Sequence, residues 1–219
     1  MSRAPDPMHA DAPPAPSPVP TLGGEAFVAA LGHAARIAAC EPGPERALGH
    51  LTALAHDALG DLTAVRRPGA LLDGERDYRV AGVFVITPDQ RYNMLVANRG
   101  FPAEQRRLAI PITWNHPGEV VRTEAPILLS NTDEHGAFRQ FLKTSRMGSS
   151  IYYPIHTRSG MVAQIVAAAQ TRWTYGPADL ERLGALAGIA AALWQSTGAS
   201  DWLAQDYPAA DLWRAEEKA

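Results

Sequence analysis

The sequence predicts an α+β fold organised around a β-hairpin and the long helix that follows it. Ser149–His156 is rich in β-branched and aromatic residues, which suit a half-buried strand. After a short polar turn, Met161–Gln170 is a nearly continuous apolar run interrupted only by Gln164. Pro177 then opens a helix in which leucine and alanine recur at helical spacing as far as Trp194.

Two further helices are predicted before the strands. Glu25–Ala39 and Pro44–Leu59 each place their apolar residues on one stripe, and Glu41-Pro42-Gly43 separates them. The first twenty residues are rich in proline and alanine and poor in large apolar side chains, so we expect them to be disordered.

Composition limits the classes of partner and compartment. A chain of 219 residues with 46% hydrophobic content can build one full core with tails. The net charge of -3 gives no reason to expect nucleic acid or an anionic membrane. The single cysteine, Cys40, fits a reducing cytoplasm, and neither a signal peptide nor a membrane-spanning run is expected.

Several short motifs in series resemble the GAF domain, a small sensor fold. In the second half, Ser149 stands five residues before Pro154, an apolar strand follows Gly160, and Tyr175–Leu186 enters an alanine-rich helix. The upstream matches are Val80–Ile86, Tyr92–Ala97, Gly100-Phe101-Pro102, Ile110-Pro111-Ile112, Gly118–Val121 and Pro126–Asn131. The resemblance covers roughly Pro44 to Gln195.

The resemblance implies a central antiparallel sheet of five or six strands. Pro44–Leu59 and Ala178–Trp194 should pack together on one face, and short helices near His116–Thr123 and Glu134–Lys143 should roof a pocket on the other. The predicted divisions are a disordered tail (1–22), an N-terminal helix (23–43), the GAF-like domain (44–196) with an insertion loop (61–77), and a C-terminal tail with a short helix (197–219).

The insertion at 61–77 departs from the family pattern. Leu62–Val65 is compatible with a short strand, and charged, glycine-containing turns follow it. It is either a surface loop with its charges in water, or a functional element, namely a flap or a partner-binding insertion.

The ligand site implied by the resemblance lies between Ile110 and Tyr153. Trp114 offers an aromatic wall, and His116 a hydrogen-bonding group that titrates near neutral pH. Of the adjacent residues Tyr152 and Tyr153, only one should face the pocket, because side chains alternate across a strand. The predicted ligand-binding residues are Trp114, His116, Asn131, Arg139, Tyr152 and Tyr153.

Each polar member of this set has an alternative role. For His116, capping of the following helix is an equal alternative, and for Asn131, capping is favoured over ligand contact. Arg139, Lys143 and Arg146 either form a solvated helix face or place one cation against an anionic ligand.

The residues that catalytic and cofactor-binding members of the family use are not all present in this chain. Free methionine sulfoxide reductases of the family use several cysteines within the domain, and this domain has none; Cys40 also precedes the position expected for covalent bilin attachment. Of the cyclic-nucleotide pattern only Asn131 and Phe138 are present, and the histidines lack metal-site spacing. We therefore expect no enzyme activity, no metal and no cofactor.

Two functional hypotheses remain. The first is a non-catalytic sensor that binds an unidentified small molecule and acts through a separate signalling protein. The second is a structural or adaptor module without a ligand that binds a protein through its insertion and tail.

A homodimer is also predicted. Gly184 and Gly188 stand four apart on the last long helix, which indicates a demand for close backbone approach, either within the chain or between two copies. Apolar residues beyond the expected core favour the second explanation. These are the stripe of Glu25–Ala39 and, in the tail, Trp202, Leu203, Leu212 and Trp213.

Overall fold

The computed structural model describes residues 17–135 and 146–215. Within them, seven strands form one sheet in the spatial order β4-β5-β6-β1-β2-β3-β7. The strands are β1 (Arg79–Ile86), β2 (Tyr92–Arg99), β3 (Leu108–Pro111), β4 (Ile127–Leu129), β5 (Ser149–Thr157), β6 (Gly160–Ala169) and β7 (Trp213–Arg214).

The predicted antiparallel sheet is confirmed, and only the number of strands differs. All neighbouring strands pair antiparallel except β7, which runs parallel to β3. The additional strand is the two-residue segment from the C-terminal tail. A segment of that length carries no readable alternation, so the sequence could not predict it.

The two long helices pack together on one sheet face, as predicted. The helices are α1 (Gly24–Ala38), α2 (Pro44–Ala58), α3 (Asn115–Thr123), α4 (Pro177–Ser196) and α5 (Ala199–Asp206). Leucines and alanines of α2 and α4 are buried in one core with the inward residues of the central strands. Helix α1 packs mainly against α2.

A second apolar cluster lies on the opposite sheet face. It contains Phe84, Leu95, Tyr152 and Val166 from the strands and Val120 from α3, which covers this face. The second roof helix is predicted at Glu134–Lys143; of this range, Glu134 lies at the end of a 3₁₀ helix, Thr132–Glu134. Residues 136–145 lie outside the described residues.

The described end of the N-terminal tail is anchored to the domain. The backbone N–H of Thr21 donates to the carbonyl of Gly60 at 3.0 Å, and that of Val19 donates to Asp61 at 3.3 Å. Residues 17–22 are therefore ordered by these contacts, in contrast to the expected disorder. The expectation for residues 1–16 lies outside the described residues.

The insertion packs against the chain near Arg172. The expected short strand at Leu62–Val65 is wrong, because the chain turns there and forms a 3₁₀ helix at Ala64–Arg66. Arg67 forms an ion pair with Asp61. The insertion is also bound through Arg172, whose backbone N–H donates to the carbonyl oxygen of Ala70 at 2.9 Å. These contacts give the insertion a defined conformation.

Most of the apolar residues of the C-terminal tail pack against the rest of the chain. Leu203 is buried, and Trp202 and Leu212 pack against the main core. Trp213 packs against the second cluster. Among the described residues, none of the helices combines the length and apolar character that crossing a bilayer requires.

Candidate ligand site on the sheet face beneath α3

A tight turn sets α3 against the sheet. A Cβ added at Gly118 would lie 2.6 Å from the carbonyl carbon of Thr113 and 2.7 Å from the carbonyl oxygen of Ile112, so only glycine permits this approach. The turn places His116 and Pro117, in the first turn of α3, in buried positions over β5 and β6.

Three of the predicted site residues come together beneath α3. The rings of His116 and Tyr152 stack with centroids 6.2 Å apart and planes 30° apart. Trp114 is partly buried against the apolar cluster that contains Tyr152. His135 contributes a fourth ring, edge-on to His116 at 6.3 Å. The result is an aromatic group that one short helix holds over the sheet.

His116 and Tyr152 are both uncharged at neutral pH. Burial lowers the pKa of His116 below its ordinary value, His135 lowers it further, and Glu119 opposes the change only in part. Burial also raises the pKa of Tyr152, although Ser150 partly opposes this. The imidazole of His116 and the phenol of Tyr152 are therefore both neutral. These rings suit an uncharged ligand, whether apolar or polar.

Tyr153 does not belong to this group, which corrects its assignment as a ligand-binding residue. It follows Tyr152 on β5 and so points to the opposite sheet face, where it packs against the main core. Its ring lies 2.8 Å from the position that a Cβ would take at Gly184 of α4. The alternation predicted for the two tyrosines is thus observed, with Tyr152 on the site face.

Asn131 has a capping role. Its side-chain oxygen accepts from the backbone N–H of Asp133 at 3.1 Å, and its amide nitrogen donates to Glu134 at 3.0 Å. Both ends of the amide are therefore bound locally at the 3₁₀ helix. Arg146 forms an ion pair with Asp133 at 3.0 Å. Arg139, Phe138 and Lys143 lie outside the described residues.

The sequence did not identify two buried amides on this face, Asn93 and Gln164, as site residues. The Nε2 of Gln164, on β6, donates to the Oδ1 of Asn93 at 3.2 Å and to the carbonyl oxygen of Pro117 at 3.0 Å. Both side chains are fully buried. The available signal was the position of Gln164 as the one polar interruption inside an apolar strand.

An open groove of about 530 Å³ lies along α3 and the turn before it. None of the predicted site residues lines it; its lining residues are Ile112, Thr113, Asn115, Gly118, Glu119, Val121 and Arg122. In the described parts of the chain, no three His, Cys, Asp or Glu side chains converge in a way that could hold a metal ion.

A family model for the GAF domain matches residues 45–194, which is more than half of the chain. The chain belongs to the GAF domain family. The structural relatives agree with this assignment. A GAF domain from an Acinetobacter phosphoenolpyruvate-protein phosphotransferase has a TM-score of 0.62, with 12% identity over 81% of this chain and 97% of that chain. A comparison with curated proteins finds no match.

Enzymes also have this fold. Free methionine-R-sulfoxide reductase from Neisseria meningitidis, solved in complex with its substrate, has a TM-score of 0.61, with 15% identity over 80% of this GAF domain chain and 92% of that chain. The reduced enzyme from Staphylococcus aureus has a TM-score of 0.59, with 18% identity over 80% and 97%.

These structures correct the expectation that the protein is not an enzyme, because GAF-fold proteins include catalysts. At such low identities the likeness shows the fold alone. The expectation rested partly on cysteines, and the single cysteine, Cys40, is exposed and precedes the matched segment.

Proposed function

We propose that this GAF domain is a regulatory module that binds a small molecule beneath α3 and acts through a separate protein. The observation that carries the proposal is the stack of His116 on Tyr152 beside Trp114, on the sheet face opposite the long helices. Ligand pockets typically combine aromatic walls with a few polar groups, and GAF domains generally bind small molecules.

Strand β5 supplies a route from the site to the helices. Tyr152 belongs to the aromatic group, and its neighbour Tyr153 contacts α4 at Gly184 on the other face. A ligand that displaces Tyr152 would move the β5 backbone and therefore the contact of Tyr153 with α4. A change in α4 would be available to a partner protein, since part of that helix is exposed.

A thermal-shift screen of small metabolites and anions tests the proposal, because a ligand that binds only the folded state raises the Tm. Hits should lose roughly tenfold or more in affinity in Trp114→Ala, which removes an aromatic wall. Trp202→Ala is the matched control, because it also deletes a partly buried tryptophan but on the main core side.

The expected result is a set of hits that stabilise the wild type and Trp202→Ala but stabilise Trp114→Ala much less. A screen without hits would contradict the proposal and favour the adaptor hypothesis. Hits that bind both variants equally would place the ligand elsewhere.

A further inference from the structure

Two buried amides lie on the sheet face beneath α3. Asn93 on β2 and Gln164 on β6 are each fully buried, and they join across the sheet by one hydrogen bond of 3.2 Å. They lie on the same face as Leu95 and Val166, which are two residues further along the respective strands and belong to the second apolar cluster. The pair is therefore a polar site within a largely apolar sheet face.

The contact with α3 fixes the orientation of both amides. The carbonyl oxygen of Pro117 can only accept, so the Gln164 atom 3.0 Å away must be the nitrogen. The Asn93 atom that this nitrogen also approaches must then be the oxygen. What remains is one acceptor, Gln164 Oε1, and one donor, Asn93 Nδ2.

Neither remaining atom has a hydrogen-bond partner among the described residues. The large majority of buried polar side-chain atoms in proteins are hydrogen-bonded, so an orphaned donor and an orphaned acceptor on two paired side chains call for an explanation. A ligand that offers the complementary atoms would satisfy both at once.

Among the described residues, no buried ionised side chain is bound to the pair. The buried charged side chains there are Asp61, Arg107, Arg172 and Asp179, and each is bound to groups outside this pair. A charged group placed against the pair would lose its hydration without gaining a counter-charge. The two buried amides therefore favour an uncharged ligand.

We propose that Asn93 and Gln164 recognise an uncharged ligand that presents a carbonyl acceptor beside an N–H donor, as carboxamides, lactams and imides do. The carbonyl accepts from Asn93 Nδ2, and the N–H donates to Gln164 Oε1. This inference rests on the proposed ligand-binding function and names the chemical class that the site takes.

Two matched pairs of probes test the class in the full chain. Nicotinamide and nicotinate share a ring and differ in the charge of the substituent. Uracil and 1,3-dimethyluracil are both neutral, but the second has lost its N–H donors. We expect nicotinamide and uracil, at millimolar concentrations, to bind at least tenfold more tightly than their partners. Equal binding within each pair would overturn the proposal.

The variant Asn93→Asp isolates one atom of the pair. It keeps the oxygen that accepts from Gln164 and replaces the orphaned NH₂ donor with a second carboxyl oxygen, but it also places an ionisable group at a buried position. Asn93→Leu, which removes the donor without adding a charge, is therefore measured beside it. We expect the amide probes to lose at least tenfold in affinity, with the fold monitored by the thermal melt. Unchanged affinity in either variant would contradict the assignment.

A measurement on the wild type covers the case in which the variant does not fold. The side-chain NH₂ resonances of Asn93 in a ¹⁵N–¹H spectrum should shift when nicotinamide is added and stay in place with nicotinate. Fixed resonances in the presence of bound probe would show that the amides are structural. If other compounds bind beneath α3 while these probes do not, this inference fails and the proposed function stands; if no compound of any class binds, both fail.

Discussion

The backbone N–H of Gly60 donates a 2.8 Å hydrogen bond to the carboxylate of Asp179, which lies in the first turn of α4. Gly60 follows α2 with a φ of 91°, a left-handed conformation that glycine adopts without strain. The same carboxylate accepts from the backbone N–H of Gly176 at 3.1 Å. One buried side chain thus joins the end of α2 to the start of α4.

Replacing this carboxylate should destabilise the fold. Asp179→Ala leaves two buried backbone donors unpaired, and we expect it to lower the free energy of unfolding by about 2–4 kcal/mol. Asp179→Asn keeps one acceptor and should cost roughly half as much. Urea denaturation measures both. Equal stability of the alanine variant and the wild type would show that the link is unimportant.

Gly118 should tolerate no side chain. In Gly118→Ala the new Cβ would meet backbone atoms of the preceding turn at 2.6–2.7 Å, and we expect a loss of about 1–3 kcal/mol as α3 shifts. Gly49→Ala is the control, since it lies inside α2 with nothing within 4 Å of its added Cβ. That change should stabilise the protein by up to about 1 kcal/mol. Similar effects of the two substitutions in thermal melts would refute the steric argument.

The lowered pKa of His116 predicts a loss of stability in acid. Above about pH 6.5 the imidazole is neutral in both the folded and unfolded states. As the pH falls below that value the unfolded chain binds a proton first, so stability decreases until the folded-state pKa is passed. His116→Phe should remove this part of the pH dependence. Denaturation curves at several pH values measure the difference, and parallel curves for variant and wild type would contradict it.

Arg172 should hold the insertion in place. Its guanidinium is almost fully buried and forms ion pairs with Glu75 of the insertion and, at 2.7 Å, with Asp133. Glu75→Gln leaves this buried cation with one carboxylate, and we expect a cost of about 1–3 kcal/mol. Faster hydrogen exchange at the amide of Arg172, which donates to Ala70, would report the loosened insertion.

The exposed pair of Glu119 and Arg122 provides the control for that experiment. Glu119→Gln should change stability by less than about 0.5 kcal/mol, because surface ion pairs contribute little. If Glu75→Gln behaves in the same way, the insertion does not depend on Arg172.

The homodimer remains a prediction, and the two glycines that suggested it lie in different surroundings. The Tyr153 ring explains the glycine at 184 within one chain, whereas Gly188 is exposed with open space around it. Val28 and Ile37 of α1 are also exposed. We expect light scattering to give twice the 23.5 kDa monomer mass and Gly188→Glu to restore the monomer. A monomeric wild type would overturn the prediction.

Local patterns in the sequence determined most of the architecture. The apolar runs of β5 and β6 and the helical spacing of α2 and α4 identify the elements, because a buried face imposes its period on the chain. The alternation of Tyr152 and Tyr153 followed from the same rule. The series of family motifs extended these elements to the whole sheet and to the position of the site.

Only the tertiary structure decided which polar groups meet. Asn93 and Gln164 are 71 residues apart, and their contact depends on β2 and β6 flanking β1 and on α3 closing over them. The link from Gly60 to Asp179 and the ion pairs of Arg172 likewise join distant segments. Such contacts leave no period in the sequence, since each is set by where the packed elements bring single side chains together.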